Sequence, residues 1–224
     1  MLTVHHLNNS RSQRVLWLLE ELGVPHEIAF YQREANMRAP KQLRAIHPLG
    51  KSPVITDNGN TVAESGAIIE YVVEPYGNGR LTPPAGTPER LRYTYWLHYA
   101  EGSAMPPLLQ KLLFSLLPSR SPLLMRPVMR AVSKQILANL VDPQLKQHMD
   151  FWEGELGKSK WFAGDEFTAA DIQMSFPLEA AAARANLRDN HPRAAAFVDT
   201  IHARPAYQRA LERGGPYALA KGRS

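Results

Sequence analysis

Up to about residue 80 the chain alternates segments of strand and helix character, and beyond that point no segment reads as a strand. Leu2–His6 carries β-branched Thr3 and Val4 and is expected to be a short strand. Val15, Leu16, Leu18, Leu19 and Leu22 follow the i, i+1, i+3, i+4, i+7 spacing of a core-facing helix. Gly23 and Pro25 end that helix. His26–Tyr31 reads as a second strand and Lys41–Ile46 as a short helix. Val54–Thr56 and Thr61–Ala63 flank Asp57-Asn58-Gly59-Asn60, a hairpin-turn signal. Glu64–Tyr76 follows as a helix with Ile68, Ile69, Val72 and Val73 on its apolar face. The order implies a small mixed sheet covered by helices.

Gly77-Asn78-Gly79 and Pro83-Pro84-Ala85-Gly86 then form a breaker-rich link. Thr87 is placed as an N-cap with Pro88 at the first helical position. Pro118, Pro122, Pro127 and Pro143, and later Pro192 and Pro205, are expected to divide an all-helical remainder. Thr168 and Asp171, three residues apart, form a reciprocal capping box, with Phe167 and Ile172 as its hydrophobic staple. The expected organisation is an α/β domain over 1–80, a linker over 81–87 and an all-α domain over 88–224.

Composition sets limits on function. At 44% hydrophobic and 21% charged residues the chain has the make-up of a globular protein. No window reaches the roughly 18 consecutive apolar residues of a membrane span, and Met1–His6 carries neither a basic leader nor a long apolar run. A cytoplasmic protein without a membrane partner is expected. There is no cysteine, which excludes disulfides, thiolate metal sites and a cysteine nucleophile. His5 and His6 point to opposite faces of a strand, and the other six histidines lack ligand spacing, so no metal site is expected.

The formal charge of +5 arises wholly after residue 80, where 18 basic residues face 13 acidic ones. Residues 102–141 hold Lys111, Arg120, Arg126, Arg130 and Lys134 and no acid. Such a stretch reads as a solvated helix face or as a positive field over a site for small anions. Nucleic acid is disfavoured, because no basic run is interleaved with aromatics.

Four segments have the chemistry of a binding site. Asn8-Asn9-Ser10-Arg11-Ser12-Gln13-Arg14 joins the first strand to the first helix, where free N–H groups and the helix dipole favour an anion. Lys51-Ser52-Pro53-Val54 sets a proline at the entry to a strand. A cis bond there turns the Ser52 backbone outward, able to pair with an extended peptide. Glu64-Ser65 opens a helix, offering N–H groups and a hydroxyl to a carboxylate and an acid to an amine. Glu101 lies amid Trp96, Tyr99 and Met105. Taken singly, each is equally ordinary as a helix cap or a surface residue.

In this order, and followed by an all-helical part, the segments resemble the cytosolic glutathione S-transferases, in particular bacterial and fungal members with a Ser-Arg-Ser-x-Arg-x-x-x-Leu-x-x-x-Leu helix start. The resemblance covers essentially the whole chain. It implies a thioredoxin-like first domain, glutathione as co-substrate and a homodimer. By resemblance, Ser10, four residues before Arg14, stabilises the glutathione thiolate, with Asn9 and Ser12 as rivals. Lys51 meets the glycyl carboxylate, assisted by Gln42 or His47, and the Ser52 main chain before Pro53 pairs with the cysteinyl unit. Glu64 and Ser65 hold the γ-glutamyl end, and Glu101 reaches the glutathione amine of a partner subunit. Leu7, Tyr93, Trp96, Tyr99, Pro106, Pro107 and Phe114 are expected to wall a pocket for a small apolar electrophile, although by spacing alone they serve equally as core. The reaction implied is conjugation of the thiolate to an electrophilic carbon in detoxification. The alternatives are glutathione-dependent disulfide or peroxide reduction, for which the lack of cysteine disfavours a mixed disulfide with the protein but leaves a route through two bound glutathiones, and a non-catalytic binding or regulatory protein.

Overall fold

The computed structural model describes residues 1–36 and 38–220. The helical part expected over 88–224 is thus seen to 220, and its last four residues lie outside the described residues. Four strands, β1 (Leu2–Leu7), β2 (His26–Tyr31), β3 (Val54–Asp57) and β4 (Asn60–Ala63), form one sheet in the order β2-β1-β3-β4. β1 runs parallel to β2, as a strand–helix–strand crossover requires, while β3 lies antiparallel to both β1 and β4. The hairpin strands are one residue longer than their sequence suggests. Asn58 and Gly59 make the whole turn, with φ of 48° and 82°, the double left-handed geometry that matches strand twist.

Three helices belong to this half: α1 (Ser12–Leu22), α2 (Lys41–Ile46) and α3 (Ser65–Tyr76). Gly23 closes α1 in the left-handed region at φ 66°, its N–H returning to the Leu19 carbonyl. α1 buries more than the single face its spacing predicts. It is wedged between sheet and helical half, so Trp17 is buried as fully as Leu16 and Leu18. The Trp17 ring packs on Phe167 and Tyr207 of that other half. One continuous hydrophobic core therefore runs through both parts.

From residue 88 the chain is helical. Thr87 caps α4 (Pro88–Tyr99) by accepting the Arg90 N–H at 3.2 Å, with Pro88 in the first turn. A π-helical turn, Ala100–Ala104, carries α4 into α5 (Met105–Arg120). Pro118 does not divide this helix but lies inside its last turn. A short 3₁₀ turn, Leu123–Met125, leads back into α6 (Arg126–Ile136), and a second π turn, Leu137–Val141, joins α6 to α7 (Asp142–Glu155). α8 (Ala169–Arg184) is the buried axis of this half, packed against α1, α3, α4 and α5. α9 (Leu187–Asn190), α10 (Pro192–His202) and α11 (Pro205–Gly214) complete it, with α11 lying along α1.

The capping box at α8 forms as expected. Asp171, fully buried, accepts the Thr168 N–H at 2.8 Å and the Thr168 hydroxyl at 3.1 Å through one oxygen, and the Phe162 N–H at 2.9 Å through the other. It thus ties the preceding turn to the helix start. Asp171→Ala leaves two buried N–H groups without acceptors, at about 1–3 kcal/mol each, whereas loss of the Thr168 hydroxyl costs about 1 kcal/mol. Urea midpoints of the Asp171→Ala and Thr168→Val variants are expected to differ in that order.

Candidate functional site

β1 and α1 meet at the Asn8–Arg11 turn, and the packing of α11 across it decides what its side chains do. Ser12 is fully buried; its hydroxyl lies 2.9 Å from His6 Nδ1 and 2.7 Å from the Ser10 hydroxyl. Burial pushes the His6 imidazole down to about 4, a shift that the Gly214 carbonyl of α11 partly offsets, so the ring is neutral at physiological pH. Asn9 is exposed at φ 51°, and its side-chain carbonyl accepts the Ala218 N–H at 2.8 Å. Ser10 accepts the Ser12 N–H at 3.2 Å and donates to the Ser52 hydroxyl at 3.3 Å. Of the three rival residues, Ser10 alone touches the neighbouring Lys51–Pro53 loop through its side chain, at the positive end of the α1 dipole.

The Ser52–Pro53 bond is cis, as expected from the sequence. The Ser52 hydroxyl donates to the His5 carbonyl at 3.1 Å, which fixes the loop to β1. Glu64 precedes α3 at φ 73°, ψ 129°, an unusual conformation for a residue with a Cβ. Strain of this kind concentrates at functional sites. Glu64 is exposed, while Ser65 is buried at the first turn of α3.

These segments converge on a cavity of about 200 Å³ lined by Arg11, His47, Leu49, Lys51, Ser52, Pro53, Ala63, Glu64, Ser65 and Glu101. Most of the residues the resemblance assigned to one ligand thus share a wall. Gln42 and Ser10 do not: Gln42 is exposed on α2, and Ser10 is buried behind the lining, which it reaches through its hydrogen bond to Ser52.

The helical half reaches this cavity through Glu101, on the π turn between α4 and α5. Its carboxylate accepts from Arg11 Nε at 3.0 Å and from the buried Arg14 guanidinium. Arg14 also donates to the Ser65 hydroxyl at 3.2 Å and to the Gln173 carbonyl of α8. Burial lowers the Arg14 pKa, and Glu101 opposes that shift. Both guanidiniums lie over the Phe176 ring, with centres 5.0 and 5.3 Å from its centroid. Sequence reasoning gave Arg11 and Arg14 no role. The signal was present: two cations sit in the first turn of a helix, where the dipole disfavours them, and so call for a carboxylate from elsewhere.

The residues expected to wall an electrophile pocket lie outside this cavity. Tyr93, Trp96 and Tyr99 are buried in the helical core and do not line the cleft. Trp96 stacks on Phe151 and packs against Phe162, and the Tyr99 hydroxyl accepts from Trp152 Nε1 at 3.1 Å and bonds His148. Leu7 and Pro107 are buried as well, and Phe114 is half-buried against the core, with Pro106 exposed. These rings alternate on the inward face of α4, so core packing claims them. Among the described residues no His, Asp and Glu group has the arrangement to hold a metal ion.

Comparison with known proteins bears on the same residues. The glutathione S-transferase N-terminal domain model matches residues 1–74 and the C-terminal domain model residues 105–205. A Schizosaccharomyces pombe glutathione S-transferase 3 is 38% identical over 181 residues, 81% of this chain and 74% of its own. A Saccharomyces cerevisiae glutathione S-transferase 1 is 33% identical over 222 residues, 95% of each chain. Among solved structures, a glutathione S-transferase from Actinobacillus pleuropneumoniae shares 30% identity with a TM-score of 0.78, over 99% of this chain and 96% of that one. A Phanerochaete chrysosporium glutathione transferase in complex with oxidized glutathione, 23% identical with a TM-score of 0.73 over 95% and 96%, shares the fold.

Two outcomes follow from the geometry. Glu101→Gln leaves the buried Arg14 cation without its counter-charge, and because Glu101 is partly exposed the cost is about 1–3 kcal/mol, measurable by urea denaturation. His6 is depressed in the native protein and normal when unfolded, so its contribution is fully present above pH 6.5 and is lost as pH falls toward 4. The loss is on the order of 3 kcal/mol. Unfolding curves across that window should be flatter in pH for His6→Gln than for the parent protein.

Proposed function

The chain belongs to the glutathione S-transferase family and is a glutathione transferase with glutathione as co-substrate; from that premise we propose that it is a serine-type enzyme adding the thiolate to small, largely apolar electrophiles. Residues 1–80 form the glutathione-binding domain in this reading, and 88–224 the helical domain that closes the cleft. The glycyl carboxylate meets Lys51 with His47 beside it, and the cysteinyl main chain pairs with Ser52 ahead of Pro53. Glu64 and Ser65 take the γ-glutamyl amine and carboxylate. Glu101 adds a second carboxylate near that amine within one chain. What supports the reading is the single cavity shared by Lys51, Ser52, Glu64, Ser65 and Glu101, adjoining the Ser10 hydroxyl.

The chemistry turns on thiol acidity. A free thiol near pKa ~8.5 is only a few per cent ionised at neutral pH. Lowering it by about two units takes about 2.7 kcal/mol of preferential thiolate stabilisation. A hydrogen bond from Ser10 to the anion contributes about 1.5–3 kcal/mol, and the α1 dipole adds to it. Ser10 keeps its proton and donates it as a hydrogen bond. The thiolate then attacks an electrophilic carbon, a carbon–sulfur bond forms and the leaving group departs with the electron pair. Absence of cysteine favours conjugation over exchange through a protein mixed disulfide. A homodimer in the cytoplasm with a role in detoxification completes the proposal.

Ser10→Ala tests it. Thiolate absorbance of bound glutathione, followed across pH, is expected to titrate higher than in the parent. Turnover of a chloronitroaromatic at neutral pH should fall roughly 10- to 150-fold, with glutathione affinity held. Ser12→Ala, which removes a hydroxyl turned toward His6, should shift the titration less. Overlaid titrations for Ser10→Ala and parent would end the assignment.

A further inference from the structure

The α5–α6 hairpin bears a surface that the glutathione cleft does not use. Its turn consists of three consecutive apolar residues, Leu123, Leu124 and Met125, and the first two are 73% and 92% exposed. Leu113 and Leu116 on α5, and Val128 and Val132 on α6, continue exposed apolar surface down both helices. Arg120 and Arg126 flank the turn, and Arg126, Arg130 and Lys134 recur at intervals of four along one side of α6. Among the described residues none of these four cations has a carboxylate within ion-pair distance, whereas Lys111, the remaining cation of the acid-free stretch, pairs with Asp142 at 2.7 Å. No acid occurs anywhere between residues 102 and 141.

An apolar edge bracketed by uncompensated cations fits an anionic lipid surface, where side chains enter the headgroup–acyl boundary and Lys and Arg meet phosphates. A second copy fits less well, since an isologous contact through this hairpin sets two acid-free cationic surfaces against each other. No helix among the described residues is long and apolar enough to cross a membrane, so the contact is peripheral. We propose that the α5–α6 hairpin docks the protein on anionic bilayers, with the Leu123–Met125 turn inserted and Arg120, Arg126, Arg130 and Lys134 on lipid phosphates. This revises the expectation of no membrane partner, and it places the enzyme where apolar compounds accumulate. It stands apart from the glutathione reading, because none of these residues lines the cleft.

Co-sedimentation of the full chain with phosphatidylcholine vesicles, with and without phosphatidylserine, tests it. Binding is expected only with phosphatidylserine present and should weaken as salt rises. Replacing Arg126 and Arg130 by Gln should weaken it about 25-fold, at about fivefold per cation. Leu123→Ser with Leu124→Ser should also reduce it, while conjugation of a soluble substrate by both variants stays at the parental rate. Absence of binding to phosphatidylserine vesicles at low salt, or equal binding by the variants, overturns the proposal. So does a leucine variant that sediments at half the parental mass, which would assign the turn to a second copy.

Discussion

A guanidinium buried at the start of α1 sets the terms for the rest of the molecule. Arg14 is 3% exposed, at the helix end where the dipole opposes a cation. Its charge is tolerable there only because partners converge from separate parts of the chain: Glu101 from the π turn, Ser65 from the start of α3 and the Gln173 carbonyl from α8. Two residues of the cleft, Glu101 and Ser65, are thereby held relative to each other and to α8 by one side chain. Burial of a paired charge is not in itself a source of stability, since desolvation opposes the attraction. What it gives is registration, because any shift between the halves leaves a desolvated cation unpaired.

The same junction explains why α1 is buried on every side. A helix flanked by a sheet on one side and α8 and α11 on the other has no solvent face for most of its length, so polar residues near its start must be satisfied internally. Ser12 finds His6, Arg14 finds Glu101, and the turn before them holds Ser10 against Ser52 of the cleft wall. The neutral state of His6 follows from this enclosure. An imidazolium between Ser12 and the Gly214 carbonyl would have no counter-ion within reach among its hydrogen-bond partners.

Much of this was readable in the sequence where local chemistry decides the outcome. The Asn58-Gly59 turn, the Gly23 stop, the Thr87 cap and the Thr168–Asp171 box each depend on residues a few positions apart. The Lys51–Pro53 and Glu64–Ser65 segments were legible as an ordered set, and they do share a cavity. Features decided by long-range packing were not legible. Tyr93, Trp96 and Tyr99 have the spacing of either a cleft wall or a core face, and only the position of Phe151 and Phe162 beside Trp96 distinguishes the two. The π turns at Ala100–Ala104 and Leu137–Val141 carry no obvious local signature, yet the first aims Glu101 at the cleft. Pro118 shows the opposite failure: a breaker by reputation, it is accommodated in the last turn of a helix.

Charge at the cleft argues for an acidic ligand independently of any resemblance. Arg11, Arg14 and Lys51 bring three positive charges, and Glu64 and Glu101 bring two negative ones. Glu101 is already engaged by both arginines, so its field on an incoming ligand is largely cancelled. The groups left to act on a ligand are then Lys51 at one end and Glu64 with the α3 N-terminus at the other. That arrangement suits an extended molecule with a carboxylate at one end and both an amine and a carboxylate at the other, as in a γ-linked tripeptide. The start of α1 adjoins this cavity through Arg11 in its lining and the Ser10–Ser52 hydrogen bond, and a helix N-terminus favours negative charge. In the proposed reading a thiol beside that helix start ionises more readily because the dipole there favours an anion, the same field that leaves Arg11 and Arg14 in need of Glu101.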